Sequence, residues 1–360
     1  MRWRAHRFAP ERTGPRQAPA ARRDVLVRPR TVPDGNAIVS AEPIQLEGLP
    51  SAEVPAALRW ESYFDFVAHP FAHQALLENS NSVCGAVYGI RGYAEQWLLA
   101  RAEIQRHDAR VLTDSTPSDA HVHGHFEVIL GEGAVFEPSV VVGVEKGAKR
   151  FAVVLGPGAR VLGGYIYLDS GSIALGCGTL VEPGVGLRGP TIVGRHTELR
   201  QGAYLRGSCV VGDVCTLRGE YKNAVLMDKA SFPHPCYVGD SLCGYMTHFG
   251  NQVTAANFGI FEGMRGGSER RPLLVRCGGA CYEVDGPKMG VCMGDFCQVG
   301  CNSVADPGTF LKPYTIVYAL TRISKGFYGP HEVLKNKPME RGVIERVPLR
   351  GARPVTGVEQ

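Results

Sequence analysis

The chain has 360 residues, of which 44% are hydrophobic and 21% are charged, as in an ordinary globular protein. Its net charge of +4 arises in the first thirty residues, where nine arginines accompany only Glu11 and Asp24, and the rest is close to neutral. No apolar run approaches the ~20 residues of a membrane-spanning helix, and no apolar stretch follows the basic start as in a secretory signal. The sequence therefore predicts a soluble, cytoplasmic protein without membrane insertion.

Residues 1–45 form a Pro- and Arg-rich segment, which is typical of a disordered tail. This segment lacks the interleaved aromatic side chains and the surrounding fold of a nucleic-acid-binding region, so no nucleic-acid partner is expected. The eleven cysteines are odd in number, contain no CxxC pair and lie mostly in strand-like runs. We expect reduced core cysteines, as is usual in the cytoplasm.

Residues 46–113 are predicted to be helical, and 114–117 read as a linker into the next domain. Apolar side chains recur there at steps of three, four and seven, which indicates one amphipathic face. This face is formed by Val83, Val87, Ile90, Ala94, Trp97 and Ile104.

The pattern then changes to a strict period of six, which is neither the period of a helix nor that of a flat strand. Eight consecutive positions of this period are aliphatic: Leu175, Val181, Leu187, Val193, Leu199, Leu205, Val211 and Leu217. Other runs of apolar residues have the same spacing of six. Two precede this run, Leu130, Phe136 and Val142, and then Leu155, Val161, Tyr167 and Ile173; one follows it, Met293, Val299, Ala305, Leu311 and Val317.

A sustained hexad period predicts a mainly β protein, a hexapeptide-repeat left-handed parallel β-helix, rather than a β-sandwich. Each hexad supplies one short strand and one turn, three hexads close a triangular coil, and stacked coils share one interior. We assign the β-helix to residues 120–340 and a C-terminal tail to 341–360. Residues 258–290 leave the period and are predicted to be a loop with a β-hairpin around Gly278-Gly279.

A second break in the period carries the most specific motif of the chain. It contains Glu220-x-Lys222, then Pro233-His234-x-x-Tyr237-x-Gly239-Asp240, and Ala256-Asn257 further on. This arrangement resembles the acetyltransferase domain of the bifunctional glucosamine-1-phosphate acetyltransferase/uridyltransferase family, and still more closely its relatives among the sugar-1-phosphate nucleotidyltransferases. The resemblance covers roughly residues 120–340.

The resemblance implies a role for each matching residue. His234 would be the general base, because an amine loses a proton as it attacks a thioester and imidazoles titrate near neutral pH. Lys222 would bind the sugar phosphate as a point charge, Tyr237 would hydrogen-bond the substrate, and Asn257 would hold the sugar. Arg200 matches the family's local Leu-Arg-x-Gly-Ala as a phosphate-binding arginine, and Arg206, one hexad later, competes for that role.

The resemblance also implies acetyl-CoA as a co-substrate, bound in a groove between neighbouring β-helices of a homotrimer. Matching the coils places Asn251, Cys301 and Ala319 beside acetyl-CoA, and Lys335 near its phosphates. One departure falls here, because Asn251 and Gln252 replace two small residues of the relatives close to the thioester.

The resulting prediction is an N-acetyltransferase that uses acetyl-CoA and a small sugar phosphate, such as glucosamine 1-phosphate, in UDP-N-acetylglucosamine and cell-envelope precursor synthesis. No uridyltransferase activity is expected, because the chain lacks the family's Gly-rich nucleotidyltransferase motif. The alternative is a non-catalytic β-helix that binds a sugar nucleotide or a partner enzyme. A further possibility keeps the transferase class and changes the acyl group or the acceptor amine.

Metal chemistry is not required by this prediction. His121, His123 and His125 alternate along the chain and would lie on one strand face, which suits a single tetrahedral zinc ion poorly. We therefore expect no metal in the acetyl-transfer site.

Overall fold

The computed structural model describes residues 42–105, 110–113, 121–123, 126–143, 151–336 and 344–348, of which 103–105, 110–113, 121–123 and 344–348 are described by their backbone alone. The predicted tails therefore lie outside the described residues, except for 42–45 and the strand Ile344–Pro348. His125 lies outside them as well.

The described chain folds into a parallel β-helix of about ten turns, which confirms the fold predicted from the hexads. Leu175 pairs with Val193, and Val193 pairs with Val211, so one coil is three hexads long and places equivalent residues above one another. All eight aliphatic residues from Leu175 to Leu217 are buried in one continuous interior. The eleven cysteines are all free.

Two of the earlier hexad predictions are wrong by one residue. Val142 and Tyr167 are only partly buried, whereas Val141, Ile166 and Leu168 point into the interior. The cause is a change in coil length, because Val161 pairs with Val181 rather than with a residue three hexads away. A strict six-residue count therefore loses its phase before Leu175.

The strands form three faces of a prism. The first, here called the docked face, is covered by the N-terminal segment. It consists of Phe126–Leu130, Phe151–Leu155, Ile173–Leu175, Thr191–Val193, Cys209–Val211, the later halves of Glu220–Leu226 and Tyr237–Cys243, Val291–Met293, Thr309–Leu311 and Gly326–Tyr328, with Arg110–Thr113 antiparallel at its start.

The second face, here called the site face, carries the motif residues. It consists of His121–His123, Val140–Gly143, Tyr165–Leu168, Gly186–Arg188, Tyr204–Leu205, the earlier halves of Glu220–Leu226 and Tyr237–Cys243, Thr254–Ala255, Val304–Ala305 and Arg322–Ile323.

The third face, here called the rear face, ends in an antiparallel pair. It consists of Val135–Phe136, Arg160–Val161, Leu180–Val181, Glu198–Leu199, Thr216–Leu217, Ser231–Phe232, His248–Phe249, Gln298–Val299, Ile316–Val317, Glu332–Asn336 and Ile344–Pro348.

The N-terminal segment contains 3-10 turns at Ala56–Leu58 and Trp60–Ser62, a short helix α1 (Ala75–Glu78) and a long helix α2 (Val83–Gln105). Val83, Val87, Ile90 and Ala94 are fully buried, as the predicted amphipathic face requires. They share a core with outward side chains of the docked face, among them Ala174, Ile192, Val210, Val225 and Leu242. Each large aliphatic side chain buried there contributes about 1.5–3 kcal/mol.

The insertion between residues 258 and 290 contains a short helix α3 (Ile260–Gly263), a 3-10 turn (Gly267–Glu269) and the predicted hairpin. Its strands, Leu274–Cys277 and Ala280–Glu283, pair antiparallel across Gly278 and Gly279, which adopt φ of 58° and 83°. Glycine tolerates this left-handed region without steric cost. The strand Ile44–Gln45 joins the hairpin as a third strand.

Candidate functional site

The motif residues lie at the two long edges of the site face. The site edge is the corner between the site face and the docked face, and contains residues 206–208, 222–223 and 239–240. The outer edge is the corner between the rear face and the site face, and contains residues 200–202, 233–236, 250–252, 300–302 and 318–320. About three strand residues separate the two edges, roughly 10 Å at ~3.3 Å per residue.

The spacing Glu-x-Lys follows from the geometry of a strand. Side chains alternate between the two sides of a sheet, so Glu220 and Lys222 point outward while Tyr221 points inward. Tyr221 is completely buried and donates a hydrogen bond from its hydroxyl to the Arg218 carbonyl at 3.2 Å. Tyr237 and Gly239 repeat this outward pattern on the next coil, beside Glu220 and Lys222 respectively.

A buried carboxylate organises the site edge. Asp240 is only 6% exposed, and its carboxylate accepts hydrogen bonds from the side-chain amides of Asn223, at 2.9 Å, and of Asn257. Asn257 also hydrogen-bonds Tyr237, whose hydroxyl lies over Gly239. Asp240 therefore fixes the orientation of Asn257, and through it that of Tyr237.

The hydroxyl of Tyr237 is held in its protonated form. Burial raises the pKa of Tyr237, and the neighbouring charges of Asp240 and Glu220 raise it further. A neutral phenol both donates and accepts hydrogen bonds, so it can contact a hydroxyl or an amide of a bound sugar.

Ion pairs flank this cluster on the adjoining coils. Arg206 pairs with Glu220 at 2.6 Å, and Arg188 forms two hydrogen bonds to Asp169, at 3.0 and 2.6 Å. In each pair the carboxylate raises the pKa of the guanidinium. Both arginines are therefore fixed in place at the site edge.

A cavity of about 420 Å³ opens at the site edge, between the coils, α2 and the end of the insertion. Its charged wall residues are predominantly cationic: Arg91, Arg188, Arg206, Lys222, Lys288 and Asp240. Burial and the neighbouring charge of Lys222 lower the pKa of Lys288, whereas Asp240 acts in the opposite direction. The cavity can therefore hold an anionic group.

The predicted residues are divided between the two edges. Lys222 and Arg206 line the cavity, and Tyr237 and Asn257 adjoin it through Asp240. His234 is exposed in the turn of the outer edge and interacts electrostatically with the half-buried His248. Burial is the main cause that lowers the pKa of His248, and the charge of His234 adds to it.

The two competing arginines also lie at different edges. Arg200 lies at the outer edge and pairs with Glu198 at 2.9 Å, two coils before His234. Arg206 lies on the cavity wall beside Lys222. The structure therefore brings Arg206, and not Arg200, together with Lys222.

The residues predicted for acetyl-CoA form a column along the outer edge. The amide of Asn302 donates to the Asn251 carbonyl, and the amide of Leu320 donates to the Cys301 carbonyl, at 2.8 and 2.9 Å. Asn251, Cys301 and Ala319 are exposed. Lys335 lies on the last coil, where the side-chain amide of Asn336 donates to the Leu320 carbonyl at 3.0 Å. These residues follow His234 along the same edge.

Several residues of the site edge were not assigned a role from the sequence. Asn223 and Asp240 stand inside the motif, and their positive φ values of 49° and 48° mark them as corner residues. Local sequence offers a signal for these two, because Asn and Asp tolerate the left-handed region. Lys288, Arg91 and Tyr88 also line the cavity, but they lie far from the motif in sequence. Only the tertiary fold brings them to it, so the sequence contains no signal for them.

Two features are absent from the described residues, a metal-binding cluster and a membrane-spanning helix. No group of three or more His, Cys, Asp or Glu side chains is arranged to hold a metal ion there. The helices of these residues lack the combination of length and hydropathy that a membrane-spanning segment has.

Comparison with known proteins finds a similarity in structure but none in sequence. No protein-family profile matches the chain, and no curated protein matches it by sequence. Among solved structures, it is similar to the crystal structure of the polySia-specific acetyltransferase NeuO, at 9% identity and a TM-score of 0.24, over 68% of this chain and 93% of that chain. A similarity this low does not bear on the activity of the chain.

Proposed function

We propose that this chain is an N-acetyltransferase that moves an acetyl group from acetyl-CoA to the amine of an amino-sugar 1-phosphate resembling glucosamine 1-phosphate. One observation carries the proposal. The cationic cavity with Lys222, Arg206 and the Asp240 cluster lies at one edge of the face whose other edge bears His234. A supply of N-acetylated sugar phosphate for UDP-N-acetylglucosamine and cell-envelope precursors would be the corresponding role.

The two edges divide the reaction into binding and chemistry. A phosphate bound at Lys222 directs the sugar along the strand, past Tyr237, toward the edge that carries His234. His234 accepts the proton as the amine attacks the thioester carbon, and returns it to the sulfur of coenzyme A as the tetrahedral intermediate collapses and the C–S bond breaks, so that coenzyme A leaves as the thiol. Main-chain amides at the turns supply hydrogen bonds to the developing oxyanion.

The acyl donor would lie along the outer edge. Asn251, Cys301 and Ala319 follow one another there on successive coils, and Lys335 stands on the last. A homotrimer would place this column against a neighbouring subunit. The exposed apolar side chains of α3 and the turn after it, Ile260 at 85%, Phe261 at 78% and Met264 at 83%, support such an association. Light scattering should give the mass of a trimer; a monomer would contradict it.

The test of the activity is thiol release from acetyl-CoA in the presence of amino-sugar 1-phosphates. We expect His234→Ala to lower kcat by about 10²–10⁴-fold, the usual contribution of a general base. His196→Ala is the matched control, because His196 is also exposed but lies at the corner between the docked and rear faces. Absence of turnover with every amino-sugar phosphate, or full activity of His234→Ala, would contradict the proposal.

A second candidate function is a non-catalytic β-helix that binds a sugar nucleotide or a partner enzyme. It is favoured by Asn251 and Gln252, which are both exposed at the outer edge, where the amide of Gln252 donates to the Pro235 carbonyl beside His234. The resemblance would place these two larger side chains close to the thioester, where the relatives carry small residues. Calorimetry in which acetyl-CoA gives no heat of binding, while a sugar nucleotide does, would favour this function over the first.

A further inference from the structure

We propose that α2 and the insertion, which lie outside the β-helix, complete a pocket for one phosphomonoester dianion, with Lys288 and Arg91 as binding residues beside Lys222. This inference deepens the proposed function and rests on it only for the identity of the sugar. The binding of the phosphate is independent of acetyl transfer and can be measured without an acyl donor.

The position of Lys288 is fixed by α2. The hydroxyl of Tyr88 donates to the Lys288 carbonyl at 2.7 Å and accepts a hydrogen bond from the Lys288 amide at 3.2 Å. Gly286 leaves the space for this contact, because a Cβ there would lie 2.8 Å from the same hydroxyl. The Lys288 ammonium lies 5.7 Å from the centre of the Phe258 ring. The end of the insertion is thereby held against the site edge.

The charges of the cavity leave two ammonium groups without a carboxylate. Arg91, Arg188 and Arg206 each pair with a carboxylate, Glu95 at 2.9 Å, Asp169 at 2.6 Å and Glu220 at 2.6 Å respectively. Across the described part of the chain, no carboxylate comes within ion-pairing distance of Lys222 or Lys288.

Lys222 and Lys288 are also close to each other. Burial lowers the pKa of Lys288, and repulsion from the like charge of Lys222 lowers it further. Among the described residues of the cavity wall, Asp240 is the one that carries a carboxylate, and it already accepts hydrogen bonds from Asn223 and Asn257. A dianion placed between the two ammonium groups would relieve their repulsion and form charge-assisted hydrogen bonds with both.

The geometry favours one phosphoryl group over a diphosphate. Lys222 and Lys288, whose ammonium groups have no carboxylate partner among the described residues, are neighbours on the cavity wall, whereas Arg188 and Arg206 already pair with carboxylates. Arg91 also lines the cavity, but its guanidinium donates to the Ser170 carbonyl at 3.1 Å and pairs with Glu95, so its contribution to phosphate binding should be smaller than that of the two lysines. The volume of about 420 Å³ leaves room for a hexose attached to the phosphate.

The experiment is calorimetric titration of the full chain with glucose 1-phosphate and with inorganic phosphate, in the absence of acetyl-CoA. Glucose 1-phosphate lacks the amine and cannot be acetylated there, so the titration reports binding alone. We expect Lys288→Gln and Lys222→Gln each to weaken binding at least tenfold, and Arg91→Gln to weaken it severalfold. Arg195→Gln is the control, because its ion pair with Asp213 lies on another edge.

Each outcome bears on the inference. Absence of heat with both probes at millimolar concentration would overturn it, as would unchanged affinity in a Lys288→Gln variant whose melting temperature equals that of the wild type. Binding of glucose 1-phosphate that requires Lys288, in a protein that acetylates no amino-sugar phosphate, would support the pocket and contradict the proposed function. Acetyl transfer with an unchanged KM in Lys288→Gln would support the function and overturn the pocket.

Discussion

Asp240 shows how much of the site depends on one side chain. Asp240 has a left-handed backbone conformation at a coil corner, and its carboxylate is buried from solvent. Hydrogen bonds from two side-chain amides offset part of the free energy that this desolvation costs. An unpaired buried carboxylate would cost several kcal/mol. Asp240 touches no predicted reacting atom, and its role is to position Asn257 and Tyr237.

A small change at Gly239 should separate this positioning from stability. A Cβ at Gly239 would lie 2.5 Å from the Asn257 amide nitrogen and 2.6 Å from the Tyr237 hydroxyl, so Gly239→Ala must displace both side chains. We expect the KM for the sugar phosphate to rise about tenfold or more, while the melting temperature changes little. Gly92→Ala on α2, where the space is open, should leave the KM unchanged. An unaltered KM in Gly239→Ala would contradict this role.

His73 makes the stability of the protein depend on pH. Its ring bonds the Tyr93 hydroxyl at 2.9 Å, and burial lowers the pKa of His73 to about 4. The folded protein thus keeps this ring neutral while the unfolded chain takes up a proton below about pH 6.5, so folding loses stability as the pH falls from 6.5 to 4. The full loss is about 3 kcal/mol.

The measurement is urea unfolding of the wild type and of His73→Phe at pH 7 and pH 4. The free energy of unfolding of the wild type should fall by about 2–3 kcal/mol more than that of the variant over this range. Asp295, whose buried carboxyl has its pKa raised to about 6, acts in the opposite direction in both proteins, and its effect cancels in the comparison. Parallel losses in the two proteins would exclude His73 as the cause.

The sequence could identify only part of the site at this scale. Lys222, Tyr237 and Asn257 lie on neighbouring coils. Because the hexads reveal the length of a coil, the proximity of these three residues could be predicted. Lys288 and Arg91 could not be placed, because the first follows an aperiodic insertion and the second lies on a helix whose docking position has no repeat to reveal it. The roles of His234 and of the acetyl-CoA residues stay predictions.

At the scale of elements, the docked face differs from the other two because its strands are apolar on both sides. In Thr191–Val193, for example, all three residues are buried: Val193 points into the β-helix and Ile192 points toward the N-terminal segment. Runs such as Cys209–Val211 carry this signal in the sequence. From Leu175 onward, the hexads correctly predict which residues point into the interior. The hexad period does not, however, predict which outward-pointing residues pack against α2.

Two adjacent leucines of α2 test how strongly this docking stabilises the protein. Leu98 is 2% exposed and Leu99 is 51% exposed, in the same turn of the same helix. Leu98→Ala should lower the free energy of unfolding by about 2–5 kcal/mol, because it leaves a cavity in the core. Leu99→Ala should change it by less than about 0.5 kcal/mol. Equal effects in chemical denaturation would contradict the docked arrangement.

At the scale of the molecule, the described residues from Glu42 onward belong to one compact unit. Solenoid coils interact mainly with their neighbours and can unfold piecewise. Here, however, α2 packs across Phe151–Leu155, Thr191–Val193 and Cys209–Val211 as well as the two long strands that follow. The helix thereby links coils that do not touch one another.

This linkage predicts a single cooperative transition. Trp60 and Trp97 both lie in the N-terminal segment, so in a Trp3→Phe background their emission reports that segment, while circular dichroism near 215 nm reports the β-helix. The two thermal transitions should coincide, as expected for two-state unfolding. A fluorescence transition well below that of the strands would show that the helix detaches first.

The chain rejoins the solenoid after its long insertion without any loss of register. Leu242 pairs with Cys292, and Ser241 bonds the Val291 amide at 3.0 Å while donating to the Gly239 carbonyl at 2.7 Å. Gly290 fits there because a Cβ would collide with that same carbonyl. These contacts close the coil where the chain returns from the insertion, and apart from Gly290 they do not involve residues within the insertion. Evolution can lengthen, shorten or rewrite the pocket wall while the scaffold keeps its stability, so related chains could share one β-helix and differ in the ligands they select.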